Sequence, residues 1–367
     1  MFIARKIWLK VHLYLGLTVG LLFAAMGVTG SMLVFERDLD EHLNEAQMIT
    51  ESTGPQRSFT EIFAAAAEAH PDLGKAVSLE VPHEQGSVSK VRFKQKTDDG
   101  VIDTEVFVDP ITLEVTGKRV RAESFMAIVN QMHTNLLGGK TGATILGVMG
   151  VLMFASIISG VMLWWPLLKS GVRNAFAIRR GKRIYDLHKT IGGLSTIFLL
   201  LITTTGIIII FAPQLKPLAN YVSPLTPIPN KVNSKPPTSA GQKKITAEEA
   251  VEIVRAEMKD CRLMTIELPQ GKDATYKIYV RQAGEIGQNR GVGRVWIDQY
   301  SGEILAMRDW RKHTASDIFF RIQVALHSGD AFGIVGRSLF FIVGLMPAVL
   351  YVTGTMMWWR KRRRSGT

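Results

Sequence analysis

VHLYLGLTVGLLFAAMGVTGSMLVF, residues 11–35, runs without a single Asp, Glu, Lys or Arg. A helix rises about 1.5 Å per residue, so about 20 apolar residues cross the hydrocarbon core of a bilayer. Three further stretches meet the same standard: 141–168, 190–215 and 338–359. Inside lipid only a helix satisfies its own backbone, so the sequence predicts four transmembrane helices. Arg5, Lys6 and Lys10 precede the first stretch, as they would a secretory signal. A signal core is only about 7–15 residues long, and this one continues into Leu33-Val34-Phe35, so it reads as a retained span.

The whole chain agrees with that start. It has 367 residues, 47% of them hydrophobic, and a net charge of +12. Its mean hydropathy is +0.13, with the apolar residues in blocks rather than dispersed, which excludes a purely soluble globule. Cys261 is the only cysteine, so an intrachain disulfide, a CxxC motif and covalent CxxCH haem attachment are all excluded. The basic excess lies in three places: Arg5, Lys6 and Lys10; the connection carrying Lys169, Arg173, Arg179, Arg180, Lys182, Arg183 and Lys189 against Asp186 alone; and Arg360–Arg364. Elsewhere acidic and basic residues nearly balance. By the positive-inside rule both termini and the short loop are expected in the cytoplasm, with the two long connections outside. Trp164-Trp165 and Trp358-Trp359 then fall at the cytoplasmic interface. Topology accounts for the charge, and no nucleic-acid partner is expected.

The first stretch also has a copy. His12, Gly16, Thr29, Gly30 and Phe35 share their spacing with His188, Gly192, Thr205, Gly206 and Phe211. His133 precedes Trp164-Trp165 by the same interval that separates His327 from Trp358-Trp359. The long connections repeat as well. Amphipathic helices are predicted over 59–70 and 246–258, with Ser58 and Thr246 as caps. Each is followed by β-rich runs: 77–81, 88–94 and 101–109, then 262–268, 276–280 and 293–298. Turns and further strands at 109–115 and 298–304 close each set. A helix followed by a meander is an α+β module.

The expected organisation is therefore an integral membrane protein with four transmembrane α-helices in two parallel repeats and two extracytoplasmic α+β modules. The segments are a first helix (1–35), a first module (36–132), a second helix with its lead-in (133–168) and a basic loop (169–187). A third helix (188–215), a linker (216–245), a second module (246–326), a fourth helix with its lead-in (327–359) and a basic tail (360–367) follow. Spans in even number per half give both halves one direction in the membrane, about a pseudo-twofold axis along its normal.

That axis is expected to bring His12 to face His188 and His133 to face His327. Ionisable groups in membrane helices are functional hypotheses by default. Two opposed neutral imidazoles suit the axial positions of a haem iron, closing it to substrate and favouring electron transfer. Gly16 and Gly192 lie on the same helix face as His12 and His188, leaving room for a flat macrocycle. Gly16-x-x-x-Gly20 is equally a close-packing motif. Lys10, Lys189, Lys140 and Arg337 are candidate partners for haem propionates. His42, His70, His83 and His313 have no repeat equivalents and read as surface residues. Met26, Met149, Met153, Met162 and Met346 read as core filler rather than iron ligands. Gly139-Lys140-Thr141 lacks the upstream glycine of a P-loop, and Gly291-Val292-Gly293 lacks the third glycine of a dinucleotide fingerprint. No Ser-His-Asp or HExxH pattern is present, and no catalytic acid or base is expected.

Trp8-Leu9-Lys10-Val11-His12, Met132-His133-Thr134, Asp186-Leu187-His188-Lys189 and Ala325-Leu326-His327-Ser328 together resemble the PepSY-associated transmembrane-helix family over the whole chain. The modules look like PepSY domains, with Asp298-Gln299-Tyr300-Ser301-Gly302-Glu303-Ile304 the clearest piece and Leu113 departing from the turn glycine. Members include FoxB-like bacterial inner-membrane ferric-siderophore reductases with two b-type haems. The resemblance implies two bis-histidine haems b, an unidentified cytoplasmic electron donor and reduction of a ferric siderophore at the periplasmic face. The rival expectations are a haem-free membrane regulator or anchor whose modules bind a protein partner, and a siderophore transporter.

Overall fold

The computed structural model describes residues 2–365 apart from 99, 230, 238–241 and 288–290, and side chains from 5 to 364 within that range. The chain divides into two compact units. One comprises Met1–Glu36, Ile128–Pro224 and Ala315–Thr367; the other comprises Arg37–Ala127 and Leu225–Thr314.

The first unit is helical. Its main elements are α1 (Phe2–Thr18), α2 (Gly20–Val34), then, after α3 (Phe59–Ala69) in the other unit, α4 (Phe125–Asn135), α5 (Gly139–Lys169), α6 (Arg183–Ile210) and α7 (Ala212–Val222). After α8 (Ala247–Glu257), again in the other unit, come α9 (Ala315–His327) and α10 (Gly333–Ser365). Helices α5, α6 and α10 are each long and apolar enough to cross a membrane. Most of their apolar surface faces outward, as at Ile197 (76% exposed) and Val335 (75%). Such a surface is stable only against lipid, and this is a membrane protein.

The first span differs from the single helix expected. It is broken between α1 and α2, which meet at 57°. The Thr18 hydroxyl donates back to the Tyr14 carbonyl at 2.7 Å, a side-chain bond that bends helices. Gly20 provides the space on which the Tyr351 ring sits. Backbone bonds from Val19 to Leu15 and from Phe23 to Val19 carry the chain through the bend. The third span also ends earlier than expected, at Ile210. Phe211 caps it, and Pro213 belongs to the start of α7, where its missing N–H is harmless.

The second unit is one antiparallel sheet with two helices on its core face. Its strands are β1 (Ala76–Glu80), β2 (Ser89–Thr97), β3 (Gly100–Val108), β4 (Val115–Val120), β5 (Cys261–Glu267), β6 (Thr275–Gln282), β7 (Gly293–Asp298) and β8 (Ile304–Arg308). The spatial order is β4-β3-β2-β1-β5-β6-β7-β8. The two expected meanders therefore share one sheet, joined where β1 pairs with β5 and Leu79 lies opposite Ile266. Both residues are fully buried. An isolated four-stranded meander would leave that edge unpaired; joining the edges satisfies both.

The helices are α3 (Phe59–Ala69) and α8 (Ala247–Glu257), each opened by a capping box. Ser58 accepts from the Glu61 amide and Thr246 from the Glu249 amide, both at 3.2 Å, while each glutamate accepts from its own cap amide. Ile62, Phe63 and Ala66 of α3 and Ala250, Val251 and Val254 of α8 enter one core with Val91, Phe93, Val106, Ile278, Val280 and Val295. The Glu248 carboxylate accepts from the Thr60 amide and hydroxyl at 2.8 and 2.7 Å, binding one helix start to the other. The closing turns match. The Asp109 carboxylate accepts from the amides of Ile111 and Thr112, and that of Asp298 from those of Tyr300 and Ser301. Leu113 takes the left-handed conformation (φ 66°) where the other turn has Gly302 (φ 75°).

One surface reading needs correction. The His83 side chain is only 14% exposed and lies 3.5 Å from Glu41. Burial, reinforced by the positive charge of Arg37, pushes it down to about 4.

Candidate functional site

The four repeat-equivalent histidines lie in the helical unit. His12 is on α1 and His188 on α6, five residues into the helix. Their ring centroids are 6.1 Å apart with the planes at 82°. His133 lies near the end of α4 and His327 is the last residue of α9. Their centroids are also 6.1 Å apart, at 53°.

The short helices α4 and α9 deliver the second pair. After His133 the chain turns through Leu136 (φ 53°) and Leu137 (φ 60°) into α5; after His327 it turns at Gly329 (φ 75°) towards α10. Nine residues beyond each histidine stands a glycine, Gly142 or Gly336. A Cβ on either would collide with the carbonyl oxygen of Asn135 or Gly329. The glycines thus let each delivering helix fold tightly back onto its span.

Each ring is held through Nδ1 by the span beside it. His12 Nδ1 bonds the Ser156 carbonyl (3.1 Å) and Ser159 Oγ (3.0 Å). His133 Nδ1 bonds the Met26 carbonyl and Thr29 Oγ1, both at 3.1 Å. His188 Nδ1 bonds Thr353 Oγ1 at 2.9 Å. His327 Nδ1 bonds the Ile202 carbonyl (2.9 Å) and Thr205 Oγ1 (3.1 Å). A carbonyl oxygen only accepts, so at His12, His133 and His327 Nδ1 carries the proton and Nε2 keeps its lone pair.

The spacing can be checked against metal ligation. An imidazole nitrogen binds a transition metal at about 2.0–2.1 Å and lies about 1.1 Å from its own ring centroid. Two rings on opposite sides of one ion therefore have centroids roughly 6.3 Å apart. The observed 6.1 Å at both pairs fits. Among the described residues no group of three or more His, Cys, Asp or Glu side chains could hold a metal ion. Two donors do not complete the shell of a bare ion, so a group suited to either pair must supply the remaining donors itself, as a planar macrocycle does.

The other expected site residues are distributed as follows. A Cβ at Gly16 would meet nothing within 4 Å, and one at Gly192 only Leu350 at 3.7 Å. Protein packing therefore does not require glycine at either place; of the Gly16-x-x-x-Gly20 motif only Gly20 makes a close contact. Lys10 and Lys140 are exposed. Lys189 is buried: its ammonium lies 3.2 Å from Asp186 and donates to the Asn174 and Ala177 carbonyls at 3.0 Å. Its three donors are thus engaged, and none is left for a propionate. Asp186 sits three residues away on the same helix face, and a buried ammonium needs such a counter-charge. Arg179 completes this cluster on the fully buried Asp186 carboxylate, at 2.7 Å. Arg337 donates to the Val34 carbonyl at 2.9 and 3.1 Å and covers the Phe35 ring at 4.6 Å.

Ser159 and Thr353 are the site residues that sequence reasoning missed. Both stand 26 residues after a histidine, His133 and His327, so the repeat contained the signal. The hydroxyl is shared but the residue is not, and a comparison of identities passes over it.

The profile of the PepSY-associated TM region matches residues 9–361, nearly the whole chain. No curated protein matches.

Proposed function

The chain belongs to the PepSY-associated TM region family, and from that premise we propose that it is a haem-b oxidoreductase of the bacterial inner membrane. It moves electrons from the cytoplasmic side to a periplasmic ferric siderophore, as the FoxB-like reductases do. The observation that carries this reading is the two imidazole couples, each with ring centroids 6.1 Å apart and each ring braced through Nδ1.

In this reading the two halves are parallel repeats about an axis along the membrane normal. Both termini and the basic loop lie in the cytoplasm and the sheet in the periplasm, as the distribution of basic residues favours. His12 and His188 hold one haem b; His133 and His327 hold the other. When bound, the haems supply reversible one-electron Fe(III)/Fe(II) chemistry. The chain's own residues contribute no acid or base. The four imidazoles would hold the two groups, and with two protein donors on each they would favour electron transfer over direct substrate binding. The hydroxyls and carbonyls of the spans fix the rings, and the apolar helices exclude water.

An unidentified cytoplasmic donor loses one electron for each ferric siderophore reduced. The substrate iron goes from Fe(III) to Fe(II), a softer ion of lower charge that hard oxygen donors hold less tightly. Iron is released and the chelator survives.

Haem stoichiometry with ligand variants tests the reading. Purified protein should show a reducible Soret and α-band with two haems per chain. His12→Ala or His188→Ala should remove one haem, and His133→Ala or His327→Ala the other. A folded, colourless preparation would refute the conduit and leave the regulator reading; loss of both haems in every variant would refute the paired assignment.

A further inference from the structure

Every one of the four histidines points its Nδ1 edge at the same two-residue unit, a hydroxyl residue followed by glycine. His12 meets Ser159-Gly160, His133 meets Thr29-Gly30, His188 meets Thr353-Gly354, and His327 meets Thr205-Gly206. The bracing is reciprocal within each half. The span bearing His12 supplies Thr29-Gly30 to His133, and the span led by His133 supplies Ser159-Gly160 to His12. The second half does the same.

Each hydroxyl also has a backbone carbonyl of its own helix within donating distance. Ser159 donates to the Ser156 carbonyl at 2.6 Å, Thr29 to Ala25 at 2.9 Å, Thr205 to Leu201 at 2.7 Å and Thr353 to Val349 at 2.7 Å. A hydroxyl has one proton. With that proton on the helix backbone, the oxygen can only accept from the ring. At His12, His133 and His327 the hydroxyl shares the Nδ1 proton with the carbonyl beside it; at His188 the Thr353 hydroxyl, with its own proton on the backbone, favours the same Nδ1–H tautomer. Each hydroxyl also polarises the ring and raises the basicity of Nε2. The following glycine brings the ring against the backbone: a Cβ there would lie 2.7–3.3 Å from the ring's Cε1.

We infer that Ser159, Thr29, Thr353 and Thr205 are positioning residues that set the affinity and redox potential of the groups held by the histidines, an inference that rests on the haem reading above. Each hydroxyl acts on its own pair. A more basic Nε2 favours the ferric over the ferrous ion, so removing the hydroxyl should raise the potential at that pair and leave the other pair unchanged.

The test uses full-length protein in detergent, reconstituted with haem b, comparing Thr205→Val with Thr205→Ser and Thr353→Val with Thr353→Ser. Haem affinity and midpoint potential are read at each site, and the untouched pair reports on folding. Each Val variant should bind its own haem 10–100-fold more weakly and titrate at a higher potential, while each Ser variant returns both values towards wild type. A Val variant identical to wild type, or a Ser variant as weak as Val, would overturn the inference while the haem reading stands. Wild-type protein that takes up no haem would overturn the haem reading itself.

Discussion

Replacing Gly30 by Ala puts one methyl group against the His133 ring. The new Cβ would lie 2.7 Å from Cε1. Carbon atoms pack at about 3.5–4.0 Å, so the ring must withdraw by roughly 0.8 Å or more. Withdrawal away from the span lengthens the bonds to the Met26 carbonyl and Thr29, now 3.1 Å. It also disturbs a separation from His327 that fits an axial pair within a few tenths of an ångström. Overpacking of this kind costs about 1–3 kcal/mol, while Ala in place of Gly in a helix returns about 1 kcal/mol. Global stability should therefore change little, and the effect should fall on the second site. On the haem reading proposed above, a pyridine haemochrome assay should find the haem content of Gly30→Ala reduced towards one per chain, with the His12–His188 site intact. The other sockets should follow their distances: Gly206 (3.0 Å), Gly160 (3.1 Å), then Gly354 (3.3 Å) as the most tolerant. Full haem content in Gly30→Ala, or greater damage from Gly354→Ala than from Gly30→Ala, would refute the socket geometry.

Arg119 donates to both oxygens of Asp40 at 2.7 Å and to Glu105 at 2.9 Å. Arg119→Met leaves the Asp40 carboxylate with only the Asn44 amide and the Glu105 carboxylate with only Arg121 at 3.4 Å, and should destabilise the sheet unit by about 2–4 kcal/mol; hydrogen exchange of the β3 and β4 amides would reveal it, and a loss below about 1 kcal/mol would contradict it. His83 titrates near 4 when folded against an ordinary value of 6.5. The unfolded chain therefore takes up a proton that the folded chain refuses, and stability falls as pH drops from 6.5 to 4. Glu41, raised by burial, works in the opposite direction. Melting wild type and His83→Asn side by side isolates the histidine: the variant should lose less stability across that interval, and parallel curves would refute the assignment. Gly302→Ala forces a side chain into the left-handed region and brings its Cβ 3.0 Å from Ile253, so it should lower stability by about 1–2 kcal/mol. Leu113→Gly should change it less, since relief of the same backbone strain is offset by lost packing; denaturation of both variants compares them.

Much of this was legible before any coordinates. Charge-free runs located the spans because no charge sits cheaply in lipid. Ser58 and Thr246 identified their helix starts because a hydroxyl before a glutamate at the third position is a local chemical device. The β-rich runs placed β1, β3, β5, β6 and β7 to within a residue or two, but β2 continues to Thr97 and β4 and β8 begin only at Val115 and Ile304, where the expected closing runs end. The first span misled because its break depends on Thr18 bonding backwards and on a distant tyrosine beside Gly20, neither of which interrupts an apolar run. The Asp186–Lys189 pair, three residues apart on one helix face, was legible in the sequence, but the Asn174 and Ala177 carbonyls that also take the ammonium were not.

The linear chain thus settled whatever depends on local composition: which segments enter lipid, where helices and strands begin, and which histidines occupy equivalent places in the repeat. Tertiary structure alone decided what depends on atoms far apart in the chain meeting at hydrogen-bonding distance. The two meanders became one sheet because unpaired edges attract one another. Each imidazole meets a hydroxyl and a close-set glycine more than 100 residues away, and no sequence window spans such a contact.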